Sequence, residues 1–198
     1  MSTLNAIGGL LIAGGRSTRF GAEKALALFD GAPMMDRAAY LFADLPAFSI
    51  SARSGSGAEA RARQRGIDVV FDDPTLPCGP LAGVVSGLAW ARRRGFDFLA
   101  TAPCDAPCLP ADMVPRLAQN IGAAPGAFAM THAGQHPLCA LWSLGVYDML
   151  SALMQGGEHP AVRAFLADIG ASPVYFAEAD AFANANTPEA LAALEKRA

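Results

Sequence analysis

L-L-I-A-G-G-R-S-T-R-F-G-A-E-K, Leu10 to Lys24, joins a short apolar run to a turn made of glycines and cations. The run Ile7 to Ile12 reads as a buried strand. Gly14 and Gly15 permit backbone angles and close approaches that a Cβ would block. Amides in such a turn converge on one point and bind anions. Arg16, Arg19 and Lys24 add mobile cations, and Gly21 keeps the loop thin enough to fold over a ligand. The chemistry is that of a polyphosphate loop, yet its spacing matches neither G-x-x-x-x-G-K-[ST] nor a G-x-G-x-x-G after the first strand. An ordinary strand-to-helix turn with solvated arginines is the alternative, so the rest of the chain has to distinguish the two.

Outward from this loop, strand-like runs alternate with helical patterns: Phe48 to Ala52, Val69 to Phe71, Phe96 to Ala102, Ala127 to Met130, Leu138 to Trp142 and Val174 to Phe176. Met34 to Leu45 has helical period. Leu81, Val84, Val85, Leu88 and Ala91 form one face of a helix opened by Gly79 and Pro80. Alternation of this kind predicts an α/β fold with a mostly parallel central sheet covered by helices on both faces. Ligands of such sheets lie at the carboxyl ends of the strands. The arginines at 61, 63 and 65 read as a solvated helix or loop, and Arg92 to Arg94 as cations favoured at a helix C-terminus, so both groups are expected to be surface features.

Two acidic sites fall at predicted strand ends. Asp105 lies in P-C-D-A-P, where Pro103 and Pro107 stiffen the backbone. A rigid carboxylate suits Mg²⁺, which takes one or two carboxylates together with phosphate oxygens and waters. The competing role is a cap or Asx turn ahead of a helix beginning near Pro110. The shared sheet edge and the basic loop favour the metal. Asp72, followed by Asp73 and Pro74, can accept hydrogen bonds from a base or a sugar hydroxyl, or can serve the turn. In C-G-P-L-A-G, Cys78 to Gly83, Gly79 opens a helix whose amides attract anions, although packing would equally explain the glycines. Near the end, F-A-N-A-N-T-P-E places Thr187 as N-cap and Pro188 at the first helical position. Asn184 and Asn186, expected at the end of a short strand-like step, offer amide oxygens to a metal or substrate, or simply make the turn. His132, His136 and His159 form no legible catalytic arrangement, so no general base is assigned.

The chain of 198 residues suits one domain, 1–198, with no repeat or linker that would divide it. Hydrophobic residues make up 53%, largely through alanine, and the mean hydropathy is +0.28. No run approaches the roughly 20 apolar residues of a membrane span, and no positive region precedes the first apolar stretch, so a cytoplasmic protein is expected. A net charge of -3 and a pI near 5.5 leave no basic footprint for nucleic acid. Cys78, Cys104, Cys108 and Cys139 lack C-x-x-C spacing, so neither a zinc site nor a disulfide framework is expected.

From Ile12 to Lys24 the loop resembles the L-A-G-G-x-S-x-R-M-G-x-D-K signature of nucleotidyltransferases with the GT-A-like, Rossmann-related fold. Phe20 replaces the usual methionine and Glu23 the usual aspartate. Within that superfamily the chain is most similar to the molybdenum cofactor guanylyltransferases, MobA, through D-D-P ahead of G-P-L-A-G, then P-C-D-A-P, H-P-L-C-A-L (His136 to Leu141) and N-A-N-T-P-E (Asn184 to Glu189). The resemblance implies a three-layer α/β/α sandwich of the nucleotide-diphospho-sugar transferase type. It implies that Ile12, Ala13 and Gly14, with Gly15 beside them, contact GTP through the loop backbone and that Lys24 binds phosphate. Ser51 stands where the family commonly has a nucleotide-contacting asparagine. Asp72 and Gly79 would bind the nucleotide, and Asp105 both nucleotide and Mg²⁺, with Asn186 or Asn184 completing the metal shell. The implied reaction is transfer of GMP from GTP to molybdenum-molybdopterin with release of pyrophosphate, in transient contact with molybdenum-insertion proteins or chaperones of client molybdoenzymes. The acceptor, already an ionised phosphate, needs no general base, so Arg19, Lys24 and Mg²⁺ would carry the chemistry by stabilising charge. Cytidylyl transfer, another phosphate acceptor, or a non-catalytic nucleotide-binding domain are the alternatives.

Overall fold

The computed structural model describes residues 3–14, 20 and 23–197. In chain order the strands are β1 (Ile7–Ile12), β2 (Leu28–Phe29), β3 (Ala32–Pro33), β4 (Phe48–Ser51), β5 (Asp68–Val70), β6 (Phe98–Pro103), β7 (Gly126–Thr131), β8 (Gly134–Ser143) and β9 (Ser172–Tyr175). The helices are α1 (Met34–Ala39), α2 (Gly57–Gln64), α3 (Pro80–Arg94), α4 (Met113–Asn120), α5 (Tyr147–Gln155), α6 (Val162–Asp168) and α7 (Pro188–Glu195). Seven strands form one sheet in the order β5-β4-β1-β6-β8-β7-β9. All run in one direction except β8, which is antiparallel to β6 and β7. The mostly parallel, three-layer α/β architecture expected from the alternating runs is therefore present.

Alternation along the strands assigns the two faces. Leu11, Ile50, Ala100 and Leu141 join α1, α2 and α4 in one core, while Leu10, Leu99, Ala140 and Trp142 join α3, α5 and α6 in the other. Gly87 lets α3 lie directly on β1: a Cβ there would meet Leu10 Cδ2 at 2.5 Å. The helix stops at Gly95, whose φ of 77° allows the left-handed turn in which the Phe96 N–H reaches back to the Ala91 carbonyl. Trp142, fully buried, donates from Nε1 to Thr101 Oγ1 at 3.0 Å, so the antiparallel β8 is tied to β6 by side chains as well as by backbone.

The small β2–β3 hairpin is not expected from periodicity, because its strands have only two residues each. Its signal is Asp30-Gly31, both with positive φ (49° and 74°), the turn that matches strand twist. Arg37 donates to the Asp30 carbonyl at 2.9 Å and pairs with its carboxylate, and the Asp30 N–H donates to Glu195 Oε1 at 2.8 Å. Phe29 and Met34 then pack against Ala185, Leu191 and Leu194, which fixes the segment leading into α7.

Other boundaries differ from the sequence expectations. The helical period of Met34 to Leu45 splits into α1 and a 3₁₀ turn, Tyr40–Phe42. The expected strand Leu138 to Trp142 is the far half of β8, whose near half forms a hairpin with β7. Asn184 and Asn186 lie outside any strand, after a 3₁₀ turn at Ala179–Phe182. Thr187 caps α7 by accepting from the Ala190 N–H at 3.2 Å, as expected.

The arginines of α2 are not simply a solvated face. Arg61 and Arg65 both pair with buried Asp36 on α1, at 2.6 and 2.9 Å. Arg92 and Arg94 are exposed in the last turn of α3, as expected, and pair there with Asp148 and Asp68. Burial works to raise the Asp36 pKa, but the hydrogen bonds and charges of the two guanidinium groups outweigh it and hold the carboxyl below its ordinary 3.8. A depressed folded-state pKa gives stability that is present above 3.8 and lost as the pH falls through the folded value. Asp36→Asn should therefore cost roughly 1–3 kcal/mol at neutral pH. Urea unfolding of both proteins from pH 7 down to pH 3 should show this difference shrinking below 3.8; a loss independent of pH would mean that Asp36 acts by packing alone.

Candidate functional site

Sheet register brings four strand ends level: Val70 is opposite Ser51, Ser51 opposite Ile12, and Ile12 opposite Pro103. The pairing continues one step beyond the strands, with Ala13 N–H donating to Ser51 at 2.9 Å and Cys104 N–H to Ile12 at 3.0 Å. The loops that leave these strands thus open on the same edge: Ala13 and Gly14 after β1, Asp72 after β5 and Asp105 after β6. Connections diverge on either side of β1, the topological switch at which open α/β sheets bind ligands.

Three of the sequence-predicted residues meet here. Lys24 Nζ donates to Asp105 Oδ2 at 2.5 Å and to Asn186 Oδ1 at 3.1 Å. Asp105 is buried, and its backbone carbonyl accepts from the Ala185 N–H at 2.8 Å, which binds the P-C-D-A-P loop to the segment carrying Asn186. Asn184 contributes its backbone carbonyl to the Asn186 N–H, at 3.1 Å, and among the described residues its amide makes no hydrogen bond to Lys24 or Asp105. The helix after Asp105 starts only at Met113, with Asp112 at its N-cap, so Asp105 is not a cap.

Lys24 is placed by a residue to which the sequence alone assigned no role. The Glu23 carboxylate accepts from the Gly57 and Ala58 N–H groups, at 2.7 and 2.8 Å, at the start of α2. These donors have no partner within their own helix, and the dipole favours a negative charge there. An acid directly before the loop lysine, facing an S-G-A helix start, was the available signal.

Beside this centre lies a cavity of about 640 Å³, lined among others by Gly14, Ser51, Arg53, Phe71, Asp72 and Gly79. Ser51 closes β4, is buried, and donates from Oγ to Asp72 Oδ1 at 3.3 Å. A Cβ on Gly83 would come within 3.0 Å of that hydroxyl, so the second glycine of the C-G-P-L-A-G segment makes room for the Ser51–Asp72 pair. The surrounding protein withdraws water from the Asp72 carboxyl and pushes its pKa up, partly offset by the Ser51 hydrogen bond. Gly79, at φ 153°, precedes Pro80 of α3, and a side chain there would collide with the His159 imidazole.

The remaining candidates are structural. His136 stacks on Phe182 at 4.7 Å, contacts Thr131 Oγ1 at 3.0 Å, and has its pKa lowered by burial. Cys104, directly before Asp105, is buried; desolvation, with the charge of Asp105 adding to it, pushes the thiol up to about 12, so it remains protonated. Gly15, Arg16, Arg19 and Gly21 lie outside the described residues. Among the described residues no cluster of three His, Cys, Asp or Glu side chains forms, and no helix is long and apolar enough to cross a membrane. The arrangement can neutralise a polyanion at one end and enclose a planar group at the other.

Residues 9–181 match the family described as MobA-like NTP transferase domain. A molybdenum cofactor guanylyltransferase of Cereibacter sphaeroides is 40% identical over 190 residues, covering 94% of each chain. Another from Acidiphilium cryptum is 39% identical over 189 residues, covering 94% of this chain and 92% of the relative. In fold, the chain is similar to the crystal structure of molybdopterin-guanine dinucleotide biosynthesis protein A from Archaeoglobus fulgidus, with a TM-score of 0.74, 18% identity, and coverage of 96% of this chain and 97% of that one.

Proposed function

The chain belongs to the family of MobA-like NTP transferase domains, and we propose that it transfers GMP from GTP to molybdenum-molybdopterin, releasing pyrophosphate and forming the molybdopterin guanine dinucleotide cofactor. The observation that carries this reading is the convergence of Lys24, Asp105 and Asn186 beside a cavity at the strand ends. The single domain 1–198 acts in the cytoplasm, with the cofactor delivered or collected by transient protein partners.

In this reading the base and ribose enter the cavity past Asp72 and Gly79, and the triphosphate runs along Ile12, Ala13, Gly14 and Gly15 towards Lys24. The terminal phosphate oxygen of the acceptor forms a bond to the α-phosphorus while the α–β bridging bond breaks, and pyrophosphate departs with the electron pair. Since the attacking oxygen is already anionic, no proton has to be removed. The side chains instead position the groups and spread charge, which is the larger part of catalysis in phosphoryl-type transfer.

Mg²⁺ suits the residues present: Asp105 Oδ2 and Asn186 Oδ1, both hard oxygen donors, already converge on one cation, the Lys24 ammonium. When bound through them, Mg²⁺ supplies a Lewis acid for the phosphate oxygens. Lys24 would then exchange Asp105 for phosphate, and Arg19, outside the described residues, would add a second cation.

The test is incubation of the purified protein with Mg²⁺, molybdenum-loaded molybdopterin and GTP, CTP or ATP, measuring pyrophosphate and the dinucleotide product. GTP should support release only when acceptor is present. Preference for CTP, or no release with any nucleotide, would overturn the assignment.

A further inference from the structure

Among the described residues, Arg53 is the cation of the cavity wall, and no ion pair there uses its charge. It lies two residues after Ser51, just beyond the end of β4, is exposed, and makes no ion pair among the described residues. Asp72, the carboxylate of the same cavity, takes its side-chain hydrogen bond from Ser51 instead.

Contacts within the cavity order its wall. Gly14, Ser51, Asp72 and Gly83 lie against one another, since a Cβ on Gly14 would be 3.6 Å and one on Gly83 3.0 Å from Ser51 Oγ. This is the inner end, next to the loop after β1. Arg53 and Phe71 belong to the remaining wall. Phe71 is 41% exposed, an apolar ring on the lining of the cavity. A phosphate gains nothing from a phenyl ring, whereas a nucleobase stacks on one.

Resting on the proposed use of GTP, we infer that Arg53 reads the base: its guanidinium donates to O6 and N7 of guanine and thereby selects GTP over ATP and CTP. Arginine presents two parallel N–H groups at the spacing of these acceptors. Adenine places an amino donor where guanine has O6, and cytosine also offers an exocyclic amino group, so each faces the guanidinium with a donor. The opposite edge of guanine, N1–H and N2–H₂, is left for a carboxylate such as Asp72.

The experiment measures dissociation constants of GTP, 7-deaza-GTP, ATP, CTP and pyrophosphate, in Mg²⁺, for wild type, Arg53→Gln and Arg53→Lys. Wild type should prefer GTP and bind 7-deaza-GTP, which lacks the N7 acceptor, about tenfold more weakly. Both variants should lose GTP affinity by about tenfold or more, approach ATP in affinity, and no longer distinguish GTP from 7-deaza-GTP, with pyrophosphate binding unchanged. Lysine keeps the charge but not the fork, so wild-type selectivity in Arg53→Lys would overturn the inference. Equal weakening of every nucleotide and of pyrophosphate would also overturn it, because it would assign Arg53 to phosphate. Wild type binding GTP with preference, but indifferent to Arg53→Gln, refutes Arg53 alone; wild type preferring CTP refutes the GTP reading beneath it.

Discussion

Asp105→Asn is expected to reduce metal-dependent turnover by at least about 10²-fold, the loss typical of removing one charge-stabilising group from a reacting centre. The substitution is isosteric and keeps an acceptor oxygen near Lys24, so only the negative charge is withdrawn. The charge is what a divalent cation needs, because the other converging donor, Asn186, is neutral. The fold should persist: the bond that ties this loop to the Asn186 segment uses the Asp105 backbone carbonyl, which the substitution does not touch. Steady-state assays across a Mg²⁺ titration, with thermal unfolding as control, decide the matter. Wild-type activity would remove Asp105 from the metal site, and a large fall in melting temperature would make its role structural.

Lys24→Met should act in two opposite directions. GTP affinity should fall by about tenfold or more, with a flatter dependence on salt, since a charge-assisted contact to phosphate is lost. Affinity of the nucleotide-free protein for Mn²⁺, followed by electron paramagnetic resonance, should rise, because Asp105 Oδ2 and Asn186 Oδ1 would no longer be engaged by the ammonium. A purely structural lysine would not produce this pair of changes. Unaltered GTP binding would count against the phosphate role, and unaltered Mn²⁺ binding against a shared cation position.

The parallel half of the sheet was legible because its strands are short, largely apolar runs that end in residues unsuited to strands. Ile7 to Ile12 is delimited to the residue, and Gly79-Pro80 marks the start of α3. Asp105 could be placed from two prolines and a strand end. Less legible were features whose signal is one or two residues long or belongs to the tertiary fold. The Asp30-Gly31 hairpin is too short for periodicity. Arg61 and Arg65 look like any solvated pair until α1 brings Asp36 beneath them. Nor does spacing choose between Asn184 and Asn186, since the backbone turns between them and only the latter amide reaches Lys24. Glu23 and Arg53 act through groups far away in sequence, the first on the amides of α2 and the second on a cavity built from three strand ends.

The lysine that bridges Asp105 and Asn186 has a further consequence for how the molecule withstands shortage. With the Lys24 ammonium already paired with the Asp105 carboxylate, that charge is balanced before any divalent ion binds, so the fold is not expected to depend on one, unlike small domains that unfold when their metal is removed. Metal scarcity would then idle the enzyme without committing it to aggregation or degradation, and resupply would restore activity without a cycle of refolding.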